Sequence, residues 1–312
     1  MGKIAFIFSG QGAQYKGMGK DLYENIDECK EIFSIADKSL GFSLSKMCFE
    51  DPENKLNETE NTQPAILTVS IATLKALESE KIKADVVAGL SLGEYSALVC
   101  SGVIDFSTAV KLVRKRGKYM QEAVPYGIGT MAAIIGLKTQ QVLNICEEVE
   151  GLVEIANINC PGQIVISGEI NAVEKACVMA KAQNALKCIP LSVSGPFHTS
   201  MLEEASHKLC KELEYVNIRP MNISMVANAT GDFIKDEGEI KNLLTKQIMS
   251  TVLWEQSIRS MISFGVDTFI ELGPSKVLSS FVKKIDRKVK IFNVEDIKSL
   301  NKTVYSLKNE TR

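Results

Sequence analysis

The chain has 312 residues, 45% hydrophobic and 24% charged, with 36 Lys and Arg against 38 Asp and Glu for a formal net charge of −2. That length allows one large domain, or a domain with an insertion, around a sizeable core. The near-neutral balance excludes a global field that gathers nucleic acid or anionic membrane, and no apolar run approaches the ~20 residues of a membrane span.

Residues 3–8, KIAFIF, read as a buried strand. The apolar run ends at Ser9-Gly10, too early for a signal peptide. Phe6 stands where a myristoylation motif needs Ser or Thr. The loop 9-SGQGAQ-14 follows at once. Pro64 opens a helical pattern, PAILTVSIATLKALESEK, as a first-turn proline. Next come a strand at 85-DVVAG-89, a helix from Leu92 and a helix from Ser107 to Glu122. This β-α-β-α alternation predicts an α/β fold with a parallel sheet.

The pattern changes after Pro125. Strands at 131–137, 153–158, 162–168 and 186–193 (LKCIPLSV) alternate with helices from Thr139 and over 170–184. That β-α-β-β-α-β order is ferredoxin-like. It predicts a small inserted domain over 125–196, with 1–124 and 197–312 forming a discontinuous large domain. Strands at 223–228, 267–272 and 289–294 then complete the first sheet.

Cysteines 29, 48, 100, 146, 160, 177, 188 and 210 are scattered, with no CxxC or metal-ligand spacing. They read as reduced, buried thiols of a reducing compartment, which places the chain in the cytoplasm.

The stretch 86-VVAGLSLGEYSAL-98 carries the first chemical signal. GxSxG arises by chance in a chain this long roughly one time in ten. Here a strand precedes it and a helix follows, as a nucleophile elbow requires. Ser91 reads as a nucleophile or, more blandly, as a helix N-cap. A serine nucleophile needs a base, and the chain has two histidines. His207 falls off the apolar stripe of Leu202, Leu209 and Leu213 and reads as a solvated helix residue. His198, in 195-GPFHTS-200, lies where the insert hands the chain back, a position that suits a cleft. An oxyanion needs backbone donors; Leu92 N–H and Gln11 N–H are the candidates, at the shared C-terminal edge of two parallel strands. In the 107–122 helix, Ala109, Val113 and Met120 form a stripe completed by Arg116. A buried arginine needs an anion, either a carboxylate of the chain or one of a substrate.

Taken together, GQGAQ, GLSLGEYSAL, LVRKRGKYMQEAVPYGIG, NINCPGQIVISG, GPFH and ELGPSKVL, in this order, resemble the malonyl-CoA:acyl-carrier-protein transacylase family. The likeness spans all but the C-terminal tail. It implies an α/β-hydrolase-like large domain with a ferredoxin-like insert and a site in the cleft between them. It implies Ser91 as nucleophile, His198 as base, Gln11 and Leu92 as oxyanion donors, and Arg116 as partner of the malonyl carboxylate. Gln63 in TQPA, Asn159 in NINCPGQ and Phe197 before the histidine are similar to residues lining the substrate pocket. The family orients its histidine through a main-chain carbonyl, here expected at Leu253 before Trp254. One position departs: Leu90 stands where many members have histidine.

The implied reaction is ping-pong transfer of malonyl from malonyl-CoA to the phosphopantetheine thiol of acyl carrier protein. No metal or organic cofactor, nucleic acid or membrane is implied, and the chain reads as a monomer. Rival readings are a polyketide loading acyltransferase, a serine thioesterase and a silent carrier-binding module. A thioesterase would need an acid between serine and histidine. Asp105 is the only aspartate there, and it reads as a helix cap. An acidic carrier needs a local basic surface. Lys283 and Lys284 in 283-KKIDRKVK-290 are the candidates, with Lys111, Arg114, Lys115 and Lys118 as the next surface.

Overall fold

In the computed structural model, which describes residues 2–191, 193 and 195–310, the chain opens with β1 (Lys3–Phe8). Helices α1 (Lys20–Asn25), α2 (Asp27–Leu40), α3 (Leu44–Glu50) and α4 (Thr59–Ser79) follow. Then come β2 (Val86–Gly89), α5 (Gly93–Cys100) and α6 (Phe106–Glu122). Nearly every residue of α4 is buried, polar Thr59, Asn61, Thr62, Gln63, Thr68, Ser70 and Thr73 included. It starts five residues before the proline predicted to open it. Pro64 lies inside the helix, where it removes one backbone bond. The extra turn carries Gln63 into the interior.

The inserted unit comprises β3 (Gly129–Ile135), α7 (Thr139–Glu148), β4 (Val153–Cys160), β5 (Gln163–Glu169), α8 (Ile170–Ala182) and β6 (Lys187–Pro190). Its antiparallel sheet has the order β4-β5-β3-β6, which is the ferredoxin-like arrangement. The strand predicted to run to Val193 stops at Pro190; Ser192 lies outside the described residues.

The chain returns through α9 (Glu203–Glu214), β7 (Ser224–Ala227), β8 (Asp232–Phe233), α10 (Ile240–Gln247) and α11 (Trp254–Ser263). It ends with β9 (Val266–Leu272), α12 (Val277–Ile285), β10 (Lys290–Val294) and α13 (Ile297–Glu310). The large sheet has the order β10-β9-β1-β2-β7-β8. It is parallel except for β8. The small unit is stitched to the large one by a bridge between Asn157 and Val252. Ile158 N–H donates to the Val252 carbonyl at 3.0 Å, and Val252 N–H to the Ala156 carbonyl at 2.8 Å. These bonds fix one wall of the cleft against the other.

All eight cysteines are free. The expectation that they are buried holds for Cys29, Cys48, Cys146 and Cys160, whereas Cys210 is exposed on the outer face of α9. Among the described residues no helix is long and apolar enough to cross a membrane.

Candidate active site

β2 runs into α5 through a sharp turn with Ser91 at φ 51°, a left-handed conformation costly for a residue with a Cβ. The flanking glycines are demanded by space. A Cβ on Gly89 would lie 1.9 Å from the Gly93 carbonyl carbon, and one on Gly93 would lie 2.2 Å from the Phe8 carbonyl oxygen. Helix α5 can therefore press against β1 and β2 only without those side chains. Gly10 is crowded likewise, since its Cβ would lie 2.5 Å from the Leu90 carbonyl oxygen. The loop carrying Gln11 is thus drawn against the elbow.

Ser91 Oγ is 2.8 Å from His198 Nε2. His198 also has positive φ, 62°, in the short loop where the insert rejoins the large domain. Its Nδ1 lies 2.8 Å from the Gln247 carbonyl oxygen. A carbonyl can only accept, so Nδ1 carries the hydrogen and Nε2 is left to accept from Ser91. This corrects the expectation at Leu253. The Leu253 carbonyl sits at the start of α11 and is taken by Ser257, from N–H and Oγ–H, both at 2.9 Å. Gln247 ends α10, where a helix leaves carbonyls without intrahelical partners. That end also carries partial negative charge, which favours an imidazolium. Burial, reinforced by the charge of Arg116, pushes the His198 pKa down from 6.5 to about 4. The ring is therefore neutral and able to accept a proton at ordinary pH.

Arg116 is 1% exposed. It sits on α6 beside Gly117, whose bare Cα lets α6 meet the first turn of α4: a Cβ there would be 2.5 Å from the Thr59 carbonyl oxygen. Nη1 donates to Gln63 Oε1 at 2.9 Å. Nη2 donates to Ser91 Oγ at 3.1 Å and Gln247 Oε1 at 3.0 Å. The Tyr95 ring lies 5.5 Å from its Cζ. No acidic oxygen meets the guanidinium within ion-pair distance among the described residues.

Ser91, His198, Arg116, Gln11 and Leu92 line one cleft of about 600 Å³ between the two units, together with Asn159 and Phe197. Gln63 lies behind Arg116, fully buried. Among the described residues Asn159 Oδ1 is buried without a hydrogen-bond partner. Leu90 also lines the cleft, so its wall is apolar at that point. Lys283 and Lys284 are exposed on the last turn of α12. The same helix lines the cleft with Leu278 and Phe281, and Lys284 Nζ donates to Gln163 Oε1 on the facing wall at 3.0 Å. Three of the four alternative basic residues are engaged elsewhere: Lys115 pairs with Glu212 at 2.6 Å, Lys118 with Glu122 at 3.7 Å, and Arg114 stacks on Phe42, while Lys111 is exposed on α6. His207 is exposed on α9. Asp105 caps α6, accepting from Thr108 N–H at 2.8 Å.

Three buried polar residues at the site were not singled out from sequence: Gln247, Glu94 and Asn228. Asn228 Oδ1 accepts from Ser91 N–H at 2.6 Å, and its Nδ2 donates to the Gly89 carbonyl at 2.7 Å, which clamps both sides of the elbow. Glu94 was detectable, being an acid on an otherwise apolar helix, the same signal that exposed Arg116. Asn228 and Gln247 end ordinary amphipathic segments and carry no such mark.

The sequence matches the family model for the acyl transferase domain over residues 5–304. It is 46% identical over 313 aligned residues to a malonyl CoA-acyl carrier protein transacylase of Bacillus subtilis, covering 99% of each chain. The fold superposes with a TM-score of 0.97 on a crystal structure of malonyl CoA-acyl carrier protein transacylase from Clostridium perfringens, at 49% identity and over 99% of this chain and 98% of that one. It is also similar to a malonyl-transacylase solved in complex with its type II PKS acyl-carrier protein, with a TM-score of 0.95, 38% identity, and 97% and 99% coverage.

Proposed function

The chain belongs to the malonyl-CoA:acyl-carrier-protein transacylase family, and from that premise we propose which of its residues carry each step. It transfers a malonyl group from malonyl-CoA to the phosphopantetheine thiol of acyl carrier protein, supplying fatty acid synthesis. In our assignment residues 125–196 form the insert, and 1–124 with 197–312 the large domain; Met1, Ser192, Ser194, Thr311 and Arg312 lie outside the described residues.

Malonyl-CoA enters the cleft and its carboxylate takes the Arg116 guanidinium as a bidentate partner. Ser91 Oγ attacks the thioester carbon while its proton passes to His198 Nε2. The N–H groups of Gln11 and Leu92 hold the oxyanion, with the N-terminus of α5 adding favourable potential. The C–S bond breaks and CoA leaves as a thiol with the proton from His198. The carrier's thiol then attacks the malonyl-serine ester, giving its proton to His198, which returns it to Ser91 Oγ. Asn159 Oδ1 is an acceptor available to a pantetheine amide. Phe197 and Leu90 make the cleft apolar where they line it, which disfavours water. Lys283 and Lys284, at the mouth, guide the acidic carrier. The cytoplasm is the compartment we assign, which the eight free thiols favour.

The observation that carries this reading is the Ser91–His198 contact of 2.8 Å with Arg116 on the same serine oxygen. Intact-protein mass spectrometry after mixing with malonyl-CoA alone tests it. One malonyl group per chain is expected, because no thiol acceptor is present. An unlabelled protein that still transfers malonyl to carrier would overturn the acyl-serine route. A second reading, service to a polyketide carrier, draws on the likeness to the type II PKS pair. Transfer rates to a fatty acid and a polyketide carrier, measured side by side, separate the two.

A further inference from the structure

Glu94 follows the nucleophile by three residues and is 1% exposed. Its Oε1 accepts from Asn228 N–H at 3.3 Å, and its Oε2 accepts from Gln247 Nε2. A carboxylate has no hydrogen to give, so it dictates which end of the Gln247 amide it meets. The amide NH₂ is used on Glu94 and on the Ser91 carbonyl, 3.0 Å away. The amide oxygen is thereby turned to Arg116, whose Nη2 meets it at 3.0 Å.

We propose that Glu94 is a positioning residue for Arg116. By fixing the polarity of the Gln247 amide it aims the guanidinium, and so sets malonyl selectivity without touching substrate. The proposal rests on the assignment of Arg116 to the malonyl carboxylate.

The ionisable groups coupled to Glu94 are Arg116 on α6 and Tyr95, its neighbour on α5. His198 connects to it through Gln247 and, by a longer route, through Asn228 and Ser91. β2 and β7, packed on α5, contain no ionisable side chain, and Lys3 on β1 and Glu60, Lys75 and Glu78 on α4 are half-buried or exposed. Burial raises the Glu94 carboxyl to about 7, against the bonds from Gln247 and Asn228 and the charge of Arg116, which favour the ionised form. Once protonated, Glu94 can donate and no longer requires the amide nitrogen. Gln247 is then held in register only by the Ser91 carbonyl and Arg116 Nη2, and the guanidinium is aimed less tightly. Selectivity is therefore greater above that pH than below it. His198, pushed down to about 4, does not change charge between about pH 5.5 and 8.5, and neither does a malonyl carboxylate of ordinary pKa.

The test compares kcat/KM for malonyl-CoA and acetyl-CoA in wild type, Glu94→Gln and Arg116→Ala across that range. At the alkaline end, Glu94→Gln should lose about 10–100-fold of the malonyl-over-acetyl preference, the scale of a misplaced binding group, mostly as a raised KM for malonyl-CoA. The wild-type preference should fall toward that of Glu94→Gln as pH drops, while the variant's stays flat. A wild-type preference independent of pH, or equal loss on both substrates in Glu94→Gln, overturns the proposal. If the variant does not fold, the wild-type pH series decides alone. If Arg116→Ala keeps the preference, the assignment of Arg116 itself fails. If it loses the preference while the wild-type series is flat, only the role of Glu94 fails.

Discussion

Arg116 Nη2 lies 3.1 Å from Ser91 Oγ, so the cation we propose for the substrate touches the proposed nucleophile itself. The spacing suits a malonyl thioester, in which a single methylene separates the carbonyl to be attacked from the carboxylate to be held. The arginine must sit beside the serine for one substrate to reach both.

Arg116→Ala is therefore expected to weaken malonyl transfer by on the order of 2–5 kcal/mol, because the substrate carboxylate is left buried and unpaired. Acetyl-CoA has no carboxylate to strand and should lose far less. Steady-state kcat/KM for the two donors measures this. An equal loss for both would make Arg116 a structural cation.

Ser91→Ala should show no malonyl adduct by mass spectrometry. His198→Ala should form the adduct more slowly by about 10²–10⁴, the usual worth of a general base. The pH dependence follows from the depressed pKa of about 4 at His198. The ring stays neutral as pH falls through 6.5 and is lost as a base only near the lower value. Acylation by acetyl-CoA, which does not use Arg116 as a fork, should thus stay level down to about pH 5.5. An acid limb centred near 6.5 would contradict the buried, arginine-flanked histidine.

Gly93→Ala places a Cβ 2.2 Å from the Phe8 carbonyl oxygen. Neither backbone can give way without parting α5 from β1. Destabilisation of about 3 kcal/mol or more is expected, at the upper end for overpacking. Denaturant unfolding would register it. A variant as stable as wild type would mean that the elbow relaxes easily.

The double change Lys283→Glu, Lys284→Glu should slow transfer to carrier protein at low salt, since exposed charges steer encounter and salt screens them. Acylation of Ser91 by malonyl-CoA and transfer to free pantetheine should survive. Stopped-flow rates across a salt series provide the check. If they do not change, the carrier docks away from α12.

Much of the site could be read along the chain. Arg116 betrayed itself by completing an apolar stripe on α6, and it is almost fully buried. His198 was the better of two histidines because it stands where the insert ends. The β-α-β-β-α-β order of the insert foretold its sheet, since each element is written in local periodicity. The start of α4 was misplaced because Pro64 looks like a first-turn residue, whereas the buried TENTQ segment before it is helical only through its tertiary surroundings. What holds the catalytic groups in place was decided in three dimensions. Gln247 meets Ser91 across 156 residues of sequence and Glu94 across 153, and Asn228 meets Ser91 across 137. The histidine's acceptor changed from Leu253 to Gln247 for a reason no motif records. A carbonyl at the start of a helix is consumed by its own first turn, whereas one at the end is left to accept from whatever the fold brings there.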